Sequence, residues 1–288
     1  MTQGSNGEPG GWTVAESVPV YDSSSSQNAP MRQAVWELLR YKDLLRLLVT
    51  TNITTRYKRS ILGVAWTLLS PLLTMTVMSI AFSALFRFSV PNYPVYVLAG
   101  LLFFAFFQES TTQGMTALIW GSALLKKVYI PASVFPISAI GTGLVNLSLS
   151  LIPLLAIMVI LGRPPSWALL FVPVAMAMTA VFSLGVGLIL STIAVVFSDV
   201  VEMWVVIVRA LFYLTPVMYP ERIFPERLQW IFQVNPLYHL IHCWRDPIYY
   251  GALPAMDTVL TALVWSVGTF LVGWWVFSRR AHQFALRA

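Results

Sequence analysis

From residue 61 onward the chain alternates between long apolar runs and short polar links. The runs cover about 61–86, 95–120, 131–161, 167–197, 199–216 and 253–277. A helix needs about 20 apolar residues to cross the hydrocarbon of a bilayer, and most of these runs meet or exceed that. The links at 87–94, 162–166 and 198–199 are short, and the one around Lys126-Lys127-Val128-Tyr129 is basic. The third run is long enough to be tilted or broken, with Pro153 inside it. The pattern predicts an all-α integral membrane fold with six transmembrane helices, and Arg279-Arg280 stops the last.

The flanking segments have other patterns. Residues 1–30 are Gly, Ser, Pro and acidic residues without an apolar core, so they read as a disordered tail and not as a signal peptide. Residues 31–60 turn helical. At 100° per residue, Leu45, Leu47, Leu48 and Val49 share a broad face with Leu44, while Lys42, Asp43, Arg46 and Thr50 lie opposite. A basic helix split this way lies in the membrane interface more readily than it spans. Residues 217–251 are too broken by proline for one straight span, and too apolar for a free loop. They read as one or two short re-entrant helices before the last span, a backbone tolerated where protein or a water-filled cavity covers it. An amphipathic surface loop is the alternative. The organisation is thus a tail (1–30), an interface helix (31–60), a six-span membrane domain (61–280) and a short C-terminus (281–288).

Composition agrees. Of 288 residues, 57% are hydrophobic and 10% charged, against roughly 25% charged in a soluble domain. The net charge of +6 comes from basic residues beside the apolar runs, not from an aromatic-interleaved groove, which argues against nucleic-acid binding. Seven Lys and Arg lie in the tail and interface helix, two in the 126–127 link and three at the C-terminus. The other side carries five. The imbalance puts both termini in the cytoplasm. Cys243 is the lone cysteine, so an intrachain disulfide is impossible.

Candidate chemistry is sparse. The sequence holds no Gly-x-x-x-x-Gly-Lys-Ser/Thr for ATP, no Gly-x-Ser-x-Gly and no His-Glu-x-x-His. No enzyme activity, cofactor or metal is expected of the chain itself, and His239 and His242 read as interfacial polar residues. Glu109 and Arg209 fall inside spans, where a charge costs roughly 2.5–3.5 kcal/mol and needs a partner or a cavity. Either they pair, or Arg209 faces a passage, or each is satisfied separately. Trp66, Phe103, Phe106 and Phe107 belong to a dense aromatic set. Such rings would suit a glycan passage, and equally they pack against neighbouring helices or lipid.

The stretch Arg56-Tyr57-Lys58-Arg59-Ser60-Ile61-Leu62-Gly63-Val64-Ala65-Trp66, continuing to Leu69-Ser70-Pro71-Leu72, is more specific. With Lys126-Lys127-Val128-Tyr129-Ile130-Pro131, Leu214-Thr215-Pro216-Val217-Met218-Tyr219-Pro220 and Asn235-Pro236-Leu237, it resembles the permease subunits of ABC-2 type polysaccharide exporters. The resemblance runs from about residue 31 onward and implies a cell (inner) membrane homodimer with two copies of a separate ATP-binding subunit, which carries the ATP and Mg. It implies a cargo of lipid-linked polysaccharide, an O-antigen, teichoic acid or galactan on a polyprenyl diphosphate. Another cargo, a drug or a lipid, is the alternative within the same plan; an ATP-independent carrier is a more distant one. By the same likeness Arg56, Tyr57, Lys58, Arg59, Lys126 and Lys127 would couple to the ATPase. Trp66, Phe103, Phe106, Phe107, Glu109 and Arg209 would face the passage. Pro216, Tyr219, Pro220, Asn235 and Pro236 would form an outer gate. The basic set near Arg56 is explained as well by anionic lipid headgroups, at about 1 kcal/mol per residue.

Overall fold

The computed structural model describes residues 41–58, 63, 65–86, 90–125 and 130–287. The predicted tail, the first part of the interface helix, Arg59, Lys126 and Lys127 lie outside the described residues. Nine α-helices follow one another among the described residues: α1 Lys42–Tyr57, α2 Ala65–Phe86, α3 Tyr93–Leu125, α4 Val134–Ile160, α5 Val172–Ala194, α6 Val200–Leu214, α7 Trp230–Val234, α8 Pro236–Arg245 and α9 Met256–Arg287.

Four helical segments are both long and apolar enough to cross a membrane: Tyr93–Ile119, Val134–Ile160, Trp167–Ala194 and Met256–Arg280. The described apolar stretch of α2 is shorter, Leu68–Phe82. Helix α6 has 15 residues, or about 22 Å at 1.5 Å per residue, less than the roughly 30 Å of a hydrocarbon core. The six expected spans therefore become four that qualify outright. The physical reason at α6 is Pro216, which lacks an N–H and holds Thr215 extended at φ −103°, ψ 134°.

Helix α3 is the centre. Val95, Val97, Leu98, Ala99, Met115 and Leu118 are wholly enclosed, with α2, α4, α5, α6 and α8 packed around them. Hydroxyls inside the bundle bond back to carbonyls one turn earlier, as Thr111 does to Phe107, Thr179 to Ala175 and Thr192 to Leu188, at 2.7–2.8 Å. These hydroxyls are thus satisfied within their own helix, as a water-free surrounding favours. Helices α5 and α9 touch backbone to backbone. A Cβ on Gly185 would stand 2.6 Å from the Phe270 nitrogen, and one on Gly273 would strike the Gly185 carbonyl. Small residues at a crossing permit this approach. The outward faces of α2, α6 and α9 stay apolar and exposed at Ile80, Val206 and Val264, faces that lipid or another subunit can cover.

The interface helix behaves largely as its pattern predicts. Leu44, Leu45, Leu48 and Val49 are half-buried, and Lys42, Asp43, Arg46 and Thr50 are exposed. Leu47 departs from the pattern and is 60% exposed. Helix α1 lies along α4, with Val49 facing Gly141 and Asn52 reaching Thr142 at 3.4 Å.

All links at the far end from α1 gather together. Tyr249 donates its hydroxyl to the Pro91 carbonyl, Arg163 donates to Tyr249 O at 2.9 Å, and Ser166 to Gly251 O at 3.2 Å. The 90–92, 161–166, 215–229 and 246–255 segments therefore form one cap. The start of α2 and the end of α9 lie at the opposite end, with α1.

Candidate functional site at the capped end

The site begins with a buried turn. Past α6 the chain cannot stay helical, yet Thr215 and Val217 are completely enclosed. Buried carbonyls need donors, and four consecutive ones receive them from side chains. Arg245 Nη1 donates to Pro216 O and Nη2 to Val217 O, both at 2.7 Å. Tyr93 donates to Met218 O at 2.8 Å and Tyr96 to Tyr219 O at 3.0 Å. Arg245 is 2% exposed. Its guanidinium also donates to the Tyr96 hydroxyl at 2.8 Å and lies 3.9 Å over the Tyr96 ring. Its partners are carbonyls and a ring, so its charge is met by dipoles and a π face.

Asn235 and Pro236 start α8 by a local rule. The Asn235 side chain accepts from the Leu237 N–H at 3.0 Å, and Pro236 takes the first helical position, where no N–H is needed. The amide of Asn235 donates to Thr215 Oγ1 at 3.0 Å, tying the start of α8 to the end of α6. Tyr219 donates to Tyr213 O at 2.6 Å, and Pro220 precedes the 3₁₀ turn Glu221–Ile223. All five residues expected at an outer gate thus sit in this cap, in or beside one hydrogen-bond network. Trp244 fastens it to α3 by donating to Ala99 O at 2.8 Å.

A charged chain runs across the cap. His242 bridges two carboxylates, with Nε2 2.6 Å from Glu221 Oε1 and Nδ1 3.2 Å from Asp246 Oδ1. Tyr238 donates to the other Glu221 oxygen at 2.7 Å. Burial disfavours the imidazolium, but the hydrogen bonds to Asp246 and Glu221 outweigh it and hold His242 up at about 9. Burial likewise opposes ionisation of Glu221, and the hydrogen bond and charge of His242 overcome it, leaving the carboxyl below its ordinary range. Among the described residues no group of three or more His, Cys, Asp or Glu is arranged to hold a metal.

Beside this chain opens a cleft of about 510 Å³ between the 90–91 link, the 220–222 turn, α8 and the π-helical turn Asp246–Tyr250. A second, of about 270 Å³, lies between Arg163, Ser166 and Tyr250.

The other expected residues lie elsewhere. Phe103, Phe106 and Phe107 are no more than 4% exposed. Phe107 packs against Phe182 and Trp204, with centroids 5.8 and 6.2 Å away. Within this chain they are core, the packing alternative, because they lie on the packed faces of α3, whose open side is marked by the exposed Ala105 and Gln108. Trp66 is half-exposed at the start of α2. Glu109 accepts from Gln113 at 2.9 Å and Arg209 is exposed on α6. No ion pair joins these two, since the ion pairs between described side chains are both made by His242. Arg56 and Tyr57 close the last turn of α1, and Lys58, which follows, is exposed.

Sequence reasoning missed Arg245, Tyr93, Tyr96, Trp244 and the Glu221–His242–Asp246 chain. One signal was available: Leu237, Ile241 and Arg245 recur every four residues, which puts the arginine on the buried face of α8. The tyrosines had none, because their partners are carbonyls more than 120 residues away.

Comparisons with known proteins agree with this architecture. Residues 43–249 match the family described as ABC-2 type transporter, from the interface helix through the cap. An O-antigen export system permease protein of Myxococcus xanthus is 31% identical over 263 residues, covering 88% of this chain and 99% of the relative. Another of that description, from Klebsiella pneumoniae, is 28% identical, covering 84% and 94%. The polysialic acid transport protein of Escherichia coli is 20% identical, covering 81% and 91%. A multi-pass bundle with an interface helix at one end and a closed cap at the other, matched over most of its length, belongs to the ABC-2 type transporter family.

Proposed function

We propose that this chain is the membrane subunit of an exporter of lipid-linked polysaccharide, driven by a separate ATP-binding subunit. The observation that carries the reading is similarity to an O-antigen export permease over 99% of that relative's length. The active unit is a homodimer with two copies of the ATPase, in the inner membrane, with both termini cytoplasmic as the charge imbalance favours. Helices α2 and α6 complete six crossings, and the 216–250 region re-enters the bilayer from the outer side.

In this reading each end has its own task. The α1 end, with Arg56, Tyr57, Lys58 and Arg59 and the Lys126-Lys127 link, receives motion from the ATPase. The cap, with Pro216, Tyr219, Pro220, Asn235 and Pro236, closes the exit. Trp66 and Arg209, both exposed, face the passage between two copies. The exposed apolar faces of α2 and α6 are compatible with that arrangement. Coupling requires two states with different contacts, and the hydrogen-bonded turn at 216–219 is the element that has discrete bonds to exchange.

The test is reconstitution. The chain is purified with a candidate ATP-binding subunit from the same organism, placed in proteoliposomes, and given lipid-linked polysaccharide from the same cell. Faster ATP hydrolysis and appearance of the polymer across the bilayer are expected. Stimulation by a drug or simple lipid instead, with none by the glycolipid, overturns the cargo.

A further inference from the structure

The 510 Å³ cleft of the cap is of a size usual for small-ligand sites. Its apolar part is a series of tyrosine rings. Tyr96 and Tyr249 meet edge to face at 5.2 Å and 81°, and Tyr249 and Tyr250 at 4.8 Å and 77°. The first two cannot swing. The Tyr96 hydroxyl is held by Arg245 and Tyr219, and that of Tyr249 by Pro91. Tyr249 braces Tyr250, a residue 60% exposed at the rim.

Its polar part is equally fixed. Each oxygen of Glu221 has one donor, from Tyr238 or His242, and a carboxylate oxygen accepts two. Both therefore retain a lone pair for a hydroxyl. Arg222 adds exposed donors at the same mouth. Charge of both signs meets at the cleft: Glu221, Arg222 and His242 line it, and Asp246, Arg163 and Arg245 lie behind that lining. A drug or acyl chain would want an apolar pocket. A ring with an apolar face and a rim of hydroxyls matches a braced aromatic platform beside paired acceptors and donors, since aromatic faces carry negative potential toward polarised C–H bonds.

We propose that this cleft is a saccharide-binding subsite at the outer mouth, where Tyr250 stacks on a sugar ring and Glu221 and Arg222 hydrogen-bond its hydroxyls. The proposal rests on the polysaccharide-export reading and adds to it a place where the emerging chain is held. Because the 220–222 turn follows directly on the turn that Arg245 holds, an occupied subsite lies against the closed cap.

The experiment uses the full chain in detergent micelles and saturation-transfer NMR, with a panel of methyl glycosides of glucose, galactose, mannose, rhamnose and N-acetylglucosamine as probes. At least one glycoside receives saturation. Its signal falls roughly fivefold to tenfold in Tyr250→Ala, the loss of one aromatic stacking contact, falls likewise in Glu221→Gln, and persists in Tyr250→Phe. Tyr250 is exposed, so its variants test binding even where Glu221→Gln unfolds. No saturation on any glycoside, or a signal that Tyr250→Ala leaves unchanged, overturns the subsite. Glycoside binding without stimulation of the ATPase complex by the glycolipid leaves the subsite standing and defeats the export reading; the reverse result does the opposite.

Discussion

Arg245 and Gly100 occupy one space: a Cβ built on Gly100 would lie 2.5 Å from Arg245 Nη2, and closer still to the Val217 carbonyl that Nη2 bonds. The guanidinium reaches the 216–217 carbonyls only because α3 has no side chain there. Gly100→Ala should therefore push the cap off α3. Overpacking of this kind costs about 1–3 kcal/mol, and thermal unfolding of the purified protein should show it, whereas Gly268→Ala, with open space around its Cβ, should not.

Arg245→Lys is expected to fail as a replacement. A lysine ammonium cannot span two carbonyls and a hydroxyl with a planar fork. Buried carbonyls of the 216–217 turn would be left unpaired, at about 1–3 kcal/mol for each. The measurement is a melting temperature together with limited proteolysis within 215–229. An unchanged melt and an uncut cap would contradict the role assigned to Arg245.

The His242 bridge makes cap stability depend on pH. A histidine held at about 9, above its ordinary 6.5, contributes its full stabilisation below 6.5 and loses it as pH rises through about 9. Glu221, held below its ordinary 4.5, contributes above 4.5 and loses its share as pH falls through the lower folded value. The wild type should melt above His242→Gln near neutral pH, and the gap should close by about pH 10. A gap that widens with pH would reverse the assignment.

Glu109 and Arg209 should behave independently. With no ion pair between them, a double-mutant cycle should give a coupling within about 0.5 kcal/mol of zero. Charge exchange should rescue neither single variant. Restored transport in the doubly exchanged protein would mean that the two meet.

Gly273→Ala tests the crossing of α5 and α9. Its Cβ would strike the Gly185 backbone, which cannot move aside as a flexible side chain can. Loss of folded protein from the membrane fraction is expected, and normal yield with an unchanged melt would refute it.

Much was legible from the order of residues. Apolar runs marked the helices because a bilayer core demands about 20 such residues and leaves every backbone group to be satisfied within the helix. The half-buried face of α1 followed from its period, and Pro216, Asn235 and Pro236 marked breaks and caps because their effects are local. The phenylalanines of α3 were ambiguous, since a ring looks the same in a sequence whether it faces a passage, a lipid or a neighbouring helix.

What the sequence by itself determined is therefore the class of protein, its solvent, the order of its helices and the place of its cap, all set by interactions within a few residues. The tertiary structure alone decided which charges and rings do work together. Arg245 is a buried clamp and not an outer surface charge because Gly100 and Tyr96 of α3 and the carbonyls of the 216–217 turn converge on it from two separate elements. Glu221 finds His242 21 residues along the chain. Such pairings carry no periodic signature, because distance in space, and not spacing in sequence, sets the energy of a buried charge.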